Sequence, residues 1–154
     1  VDKKNGQQLH DELALMGAKL IVETLKQIEE GKADSEKQDD SISTYAPMIS
    51  KSDGHIDFSR PAAEIERRIR AFDPWPGTFA QINDKTFKFW KADVIPAAEE
   101  AQPGTVIAAG NNGLDIATGE GVLRVTQLQA PGKKRVATGD YLRGNSIEIG
   151  TVLR

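Results

Sequence analysis

The string Asp73-Pro74-Trp75-Pro76-Gly77 divides this 154-residue chain into two regimes. Neither proline can continue a helix: each lacks the amide hydrogen that an interior turn requires, and each restricts the residue before it. Upstream, apolar residues recur every three or four positions, the spacing of a helix face; downstream they recur every two, the spacing of a strand face. A helix must therefore end at this string, and the remainder must be built from strands. The expected fold is mainly β with flanking helices: a small antiparallel β-barrel of five or so short strands, with a β-sandwich as the alternative.

The strand signals follow in order. Phe79 to Ile82, Asn83-Asp84 and Thr86 to Val94 read as a hairpin, with Phe87 and Phe89 on one face and Lys88 and Trp90 on the other. Gly104 to Ala109 predicts a third strand, closed by Asn111-Asn112-Gly113, residues that tolerate positive φ. Leu114 to Thr118 and Val122 to Leu128 flank Gly119-Glu120-Gly121, a tight hairpin. Thr138 to Leu142 predicts one helical turn, and Ser146 to Leu153 a last short strand.

Upstream of the prolines, Ala62, Ile65, Ile69 and Phe72 share one helix face; Arg67 and Arg70 project from the opposite face and Arg68 from the flank. Ser59 is the expected cap and Pro61 fits the first turn. Further back, Leu9, Leu13, Met16, Leu20, Ile21, Leu25 and Ile28 form the stripe of a helix of about 22 residues that ends at a left-handed Gly31. One apolar face on so long a helix requires a surface to cover. Between the helices, Lys32 to Ser43 is polar and charge-dense, Pro47 interrupts Thr44 to Ile49, and Ser52-Asp53-Gly54 is a turn. The expected division is a helix at 1–31, an extended linker at 32–58 and a barrel domain at 59–154.

Composition removes several functional classes. The absence of cysteine excludes a disulfide scaffold, a zinc ribbon and a thiol nucleophile, and fits a reducing cytoplasm. No apolar run reaches the roughly 18 residues of a membrane span, and Val1 to Gly6 is not followed by the apolar core of a secretory signal. Two histidines, His10 and His55, give little scope for a histidine-based metal site, and none is expected. His10 lies on the polar side of its helix. His55 falls in a turn near Asp53 and Asp57, without a nucleophile or metal partner. The carboxylate pairs Glu29-Glu30, Asp39-Asp40 and Glu99-Glu100 sit in polar stretches. No Ser-His-Asp arrangement and no phosphate-cradling glycine loop is present, so no catalytic residue is expected in this chain.

The net charge of −3 is unevenly spread: residues 1–59 carry 7 Lys/Arg against 12 Asp/Glu, and residues 60–154 carry 13 against 11. A polyanion partner for the C-terminal part is thus permitted. The candidates are Lys51, Arg60, Arg67, Arg68, Arg70, Lys88, Lys133-Lys134-Arg135 and Arg143. Arginine suits phosphate through its planar fork, and small barrels bind single strands with basic and aromatic groups. The same residues also read as solvated charges or partners of Glu64, Glu66 and Asp140. Trp75 has two readings, an exposed platform for a base or a buried plug fixing the helix on the barrel; the plug is the expectation.

Several strings in order resemble a known family: Tyr45-Ala46-Pro47-Met48-Ile49-Ser50-Lys51, Ile56-Asp57-Phe58, Arg70-Ala71-Phe72-Asp73-Pro74-Trp75-Pro76-Gly77, Pro103-Gly104-Thr105-Val106, Ala117-Thr118-Gly119-Glu120-Gly121, Gly132-Lys133-Lys134-Arg135 and Asp140-Tyr141-Leu142-Arg143-Gly144. They look like the C-terminal part of the methionyl-tRNA formyltransferase family, and Leu9-His10-Asp11-Glu12-Leu13 with Gly17-Ala18 resembles the last helical segment of that family's catalytic domain. The resemblance implies a parent enzyme with an N-terminal Rossmann-like domain, absent here. That domain transfers the formyl group of 10-formyltetrahydrofolate to the methionine amino group of initiator methionyl-tRNA, using an Asn, a His and an Asp. It implies that the present chain is an OB-like barrel with a linker that holds tRNA, binds no cofactor, transfers no formyl group alone, and works in the cytoplasm. By the same resemblance Lys51 matches a basic linker position and Lys133 and Lys134 a basic loop; Arg135 adjoins them. Lys88, Arg67 and Arg70 complete the tRNA-contact set, although Arg70 also reads as a brace for Asp73. Two alternatives remain open: the C-terminal subdomain of another formyl-folate enzyme, and a structural module that binds no RNA.

Overall fold

The computed structural model describes residues 3–96 and 101–154, so the Glu99-Glu100 pair lies outside the described residues. The elements run α1 (Gly6–Glu29), α2 (Ala62–Ala71), β1 (Thr78–Ile82), β2 (Lys85–Ile95), β3 (Val106–Gly110), β4 (Gly113–Ala117), β5 (Val122–Gln129), β6 (Val136–Ala137) and α3 (Thr138–Leu142). Two short 3₁₀ turns, Asp40–Ile42 and Lys51–Gly54, precede α2. The fold is mainly β with flanking helices.

All strand pairs are antiparallel, in the order β1-β2-β5-β4-β3, with β6 also on β5. This is an open sheet, not the closed barrel expected from the sequence. The physical reason lies in the last residues. Instead of a strand over 146–153, the chain offers one bridge between Val152 and Thr105. Leu153 N donates to the Gly104 carbonyl at 2.9 Å, and Gln81 N to the Arg154 carbonyl at 2.6 Å. The tail thus touches both edges of the sheet, but Gly150 at φ +91° bends the chain just before it, leaving too short a run for a ladder.

The β1–β2 hairpin follows its sequence closely. Ile82 pairs with Lys85, and Asn83 and Asp84 adopt φ of 48° and 61°, the left-handed pair that a two-residue hairpin turn requires. In the β3–β4 turn the positive φ falls on Gly113, at 135°, and not on the asparagines. Phe87 and Phe89 enter the core with Ile116, Leu114, Leu123, Val125 and Leu128. Trp90 faces the other side, where the β2–β5 register slips, and it too is covered.

The core draws Ile56 and Phe58 from upstream of α2, and Ala62, Ile65 and Ile69 from α2 itself. Ser59 does not cap α2. Its hydroxyl bonds the Asp57 carboxylate at 2.6 Å, and Pro61 occupies the cap position. The helix start is tied to the sheet by Ala62 N to the Glu120 carbonyl at 2.9 Å and by Gly119 N to the Phe58 carbonyl at 2.9 Å. A Cβ on Gly119 would lie 1.9 Å from the Ser59 carbonyl oxygen, so glycine is what lets the two segments cross.

The proline string ends α2 as expected, and Gly77 N returns to the Phe72 carbonyl at 2.9 Å. That closure throws Trp75 outward: it is 54% exposed, and the buried-plug expectation fails. Trp90 is the covered tryptophan, its ring lying 2.9 Å from where a Cβ on Gly77 would sit.

Helix α1 buries no residue. A capping box between Asn5 and Gln8 starts it, and Gly31 at φ +69° follows its end. Only its beginning docks: Gln7 N donates to the Asp73 carbonyl at 3.1 Å, and Arg70 Nη1 to the Lys4 carbonyl at 2.9 Å. Leu13, Met16, Leu20 and Leu25 stay exposed. Residues 32–50 are exposed throughout. Among the described residues no helix is long and apolar enough to cross a membrane.

Candidate nucleic-acid interface

The expected basic residues fall into three places. Lys51 stands apart, exposed at the start of the 3₁₀ turn against β1. That turn is fixed by Asp53, whose carboxylate accepts from Ser50 N at 2.7 Å and Ser50 Oγ at 2.9 Å. These bonds hold the Asp53 carboxyl below its ordinary value, with the backbone donor the larger cause.

Arg67 and Arg70 line a groove of about 600 Å³ with Lys3, Glu66 and Asp93. Arg67 is exposed. Arg70 is engaged: Nε donates to Glu66 at 2.5 Å and Nη1 to the Lys4 carbonyl at 2.9 Å, so it braces the start of α1 and not Asp73. Arg68 is withdrawn further, with Nη2 on the Asp53 carbonyl at 2.7 Å and its guanidinium over Phe72 at 5.3 Å.

The third place gathers Lys88, Lys133, Lys134 and Arg135. Arg135 makes a two-armed pair with Asp73, at 2.9 and 3.3 Å, and its guanidinium carbon lies 3.7 Å from the centre of the Trp90 ring. The same ring has the Lys88 ammonium at 5.5 Å. Trp90 Nε1 donates to Gln129 Oε1 at 3.1 Å, and Gln129 Nε2 to the Lys133 carbonyl at 2.8 Å. The basic loop is thus tied to the sheet at two points, while the Lys133 and Lys134 side chains stay exposed.

These two lysines line a cleft of about 580 Å³ with Lys85, Phe87, Val136, Asp140, Tyr141 and Asn145. Lys85, Lys133 and Lys134 make no ion pair among the described residues, and Asp140 is paired with Arg143 at 2.7 Å. The sequence reading missed Lys85; its only signal was its place directly after the Asn83-Asp84 turn. Phe87, buried in the core, meets the Tyr141 ring edge-on at 5.8 Å beneath the cleft.

The structure assembles neither histidine into a site. His10 is exposed and contacts Asp11 at 3.1 Å. His55 sits edge-on to Phe79 at 5.5 Å, while Asp53 is taken up by Ser50 and Asp57 by Ser59. Among the described residues no three His, Asp or Glu side chains converge as metal ligands.

Comparison with known proteins adds the following. The family profile "Formyl transferase, C-terminal domain" matches residues 48–146. A methionyl-tRNA formyltransferase of Agathobacter rectalis is 44% identical over 148 residues, 96% of this chain and 48% of that protein. One of Lachnospira eligens is 46% identical over 156 residues, 98% of this chain and 50% of that protein. The chain therefore spans about half the length of the curated relatives it matches. Among solved structures, HypX from Aquifex aeolicus, one form of it in complex with tetrahydrofolic acid, superposes with a TM-score of 0.57 at 18% identity, covering 85% of this chain and 26% of that one. This last likeness concerns the fold alone.

Proposed function

The chain belongs to the family of formyl transferase C-terminal domains, and from that premise we propose that it is the tRNA-handling part of a methionyl-tRNA formyltransferase. In this reading the parent enzyme moves a formyl group from 10-formyltetrahydrofolate to the amino group of initiator methionyl-tRNA, in the cytoplasm. A Rossmann-like catalytic domain carries that chemistry. Residues 1–31 are the end of that domain, 32–58 the linker and 59–154 the C-terminal domain. The chain alone is inactive, since neither histidine stands among groups that could polarise a formyl carbonyl and accept the amine proton.

One observation carries the RNA reading. Lys85, Lys133 and Lys134 converge on one cleft without ion-pair partners among the described residues, while the arginines around them are engaged. Ammonium groups left in water beside an aromatic wall are available to phosphate, and each phosphate contact releases a counterion. Lys88 on β2 adds to this basic surface, and Lys51 in the linker supplies a separate contact. Arg135 and Arg70 are partly engaged, Arg135 with the Asp73 carboxylate and Arg70 with Glu66 and the Lys4 carbonyl, so they hold the surface in place and offer RNA only their remaining donors.

The test is binding of the chain to initiator tRNA at two salt concentrations, with an elongator tRNA as control. A log–log slope of about −2 to −4 is expected, and Lys133→Ala with Lys134→Ala should remove about two units of it. Incubation with the formyl donor and charged tRNA should yield no formylated product. The second reading is a structural subdomain of another formyl-folate enzyme, one that binds no RNA. Absence of salt-dependent binding would select it.

A further inference from the structure

We propose that the cleft beside β6 and α3 is a binding site for one nucleotide: a planar heterocycle against Tyr141, with its phosphate among Lys85, Lys133 and Lys134. The size fits, since about 580 Å³ lies within the roughly 300–1,000 Å³ of small-ligand pockets.

The cleft lining combines two chemistries. Tyr141, its ring met edge-on by the buried Phe87 ring with 79° between them, and Val136 supply an apolar wall. A flat ring gains stacking there, and stacking accepts any base because every base has a π-face. Lys85, Lys133 and Lys134 supply positive charge in the same lining, opposed only by Asp140, itself paired with Arg143. A ligand with an aromatic part and an anionic part satisfies both; a bare anion or a neutral ring satisfies one. Asn145 adds selectivity at the rim. Its amide nitrogen donates to the Tyr141 carbonyl at 3.0 Å, which leaves its carbonyl oxygen to accept from a base amino group.

The site is preformed. Lys133 N bonds the Ala130 carbonyl at 3.0 Å, Gln129 bonds the Lys133 carbonyl, and Arg135 pins the far end of the loop to Asp73 and Trp90. Little backbone ordering entropy therefore remains to be lost on binding. The nucleotide can be free in solution or an unstacked unit of an RNA strand. The site uses the same three lysines as the tRNA reading above and deepens it, and the experiment separates the two.

The measurement is a ¹H–¹⁵N NMR titration of the whole chain with adenosine 5′-monophosphate, its two halves adenosine and ribose 5-phosphate, inorganic phosphate, and an adenylate trinucleotide. The monophosphate should shift amides in 130–136 and 139–145 and bind about tenfold tighter than either half. Tyr141→Leu, which keeps apolar bulk, and the exposed Lys134→Glu should each weaken it about tenfold, and Lys26→Ala on α1 should leave it unchanged. Each variant's own spectrum reports whether it is folded. Tighter trinucleotide binding supports the site as one for a strand unit; equal binding supports a free nucleotide. The proposal is overturned by no shift at about 5 mM monophosphate, by shifts elsewhere, or by inorganic phosphate reproducing the effect at equal affinity. If tRNA binding keeps its salt slope in Tyr141→Leu while the monophosphate fails to bind wild type, this proposal falls and the tRNA reading survives.

Discussion

The carboxylate of Asp73 receives both Nη atoms of Arg135, at 2.9 and 3.3 Å, across 62 positions of chain. The pair links the proline string that ends α2 to the basic loop before β6. Asn5 donates to the same carboxylate at 3.1 Å, so the start of α1 joins at this point too. Arg135 reads in sequence as one of three adjacent phosphate ligands; in space it pins the end of their loop to Asp73 and Trp90, while the Lys133 and Lys134 side chains stay exposed.

Removing this pair should cost stability. In Asp73→Asn the fork loses its anion while remaining half-covered by Trp90. The expected loss is about 1.5–3 kcal/mol, the range of hydrogen bonds to charged groups. Arg135→Lys should lose a comparable amount, because an ammonium cannot reproduce the two-armed geometry or the stacking. Denaturant unfolding of both single variants and the double variant measures the coupling, and additive effects would refute it.

The sheet interior should respond as a packed core. Phe89, Leu123 and Leu128 are fully buried. Leu123→Ala should destabilise by about 2–5 kcal/mol. Met48→Ala, at a side chain 94% exposed, should change stability by less than about 0.5 kcal/mol. Midpoints of chemical denaturation compare the two, and similar values would contradict the packing described.

The crossing at Gly119 gives a sharper test. Gly119→Ala places a methyl group against the Ser59 backbone, which cannot rotate away. A loss of about 1–3 kcal/mol is expected, as for overpacking elsewhere. Gly17→Ala, where a Cβ on α1 would meet nothing within 4 Å, should instead be neutral or stabilising by up to about 1 kcal/mol. Thermal melts of the two variants should move in different directions or by clearly different amounts.

Acid should weaken the segment that precedes α2. Asp57 is held below its ordinary value, first by the Ser59 hydroxyl and then by the Ser59 amide. Asp53 is lowered likewise by Ser50, through the amide first. A carboxyl lowered by folding contributes stability above its unfolded pKa, and that contribution is lost as pH falls through the folded value. The contribution is therefore full at neutral pH and declines below about pH 4. The difference in stability between pH 6 and pH 3 should be smaller in Asp57→Asn than in wild type; an unchanged difference would show that these bonds play no part.

The helix and strand assignments were legible where one local rule governs each. The Asn83-Asp84 turn, the end of α2 at Asp73-Pro74, Gly31 after α1 and the single turn Thr138–Leu142 all follow from backbone preferences within a few residues. Trp75 and Ser59 were misread because their alternatives are equal locally. A tryptophan between prolines points inward or outward according to the Gly77–Phe72 closure, and a serine hydroxyl beside both Asp57 and a helix start serves whichever is nearer. Lys85 has almost no local signal because, Phe87 apart, its neighbours at the cleft lie more than 40 positions away in the chain.

Where helix gives way to strand is written locally in the chain, because hydrophobic period and the conformations open to proline and glycine are properties of a few consecutive residues. The family to which the chain belongs is written there too, in the ordered strings from Tyr45 to Gly144. Whether the sheet closes is settled by long-range contacts, since closure depends on how far the Thr151–Arg154 tail reaches between two strand edges. Such contacts also decide which basic residues remain available to a ligand. Arg67, Arg70, Arg135 and Lys134 carry one positive charge each. What separates them is the carboxylate or carbonyl that folding brings to Arg70 and Arg135, and that pairing joins residues up to 66 positions apart.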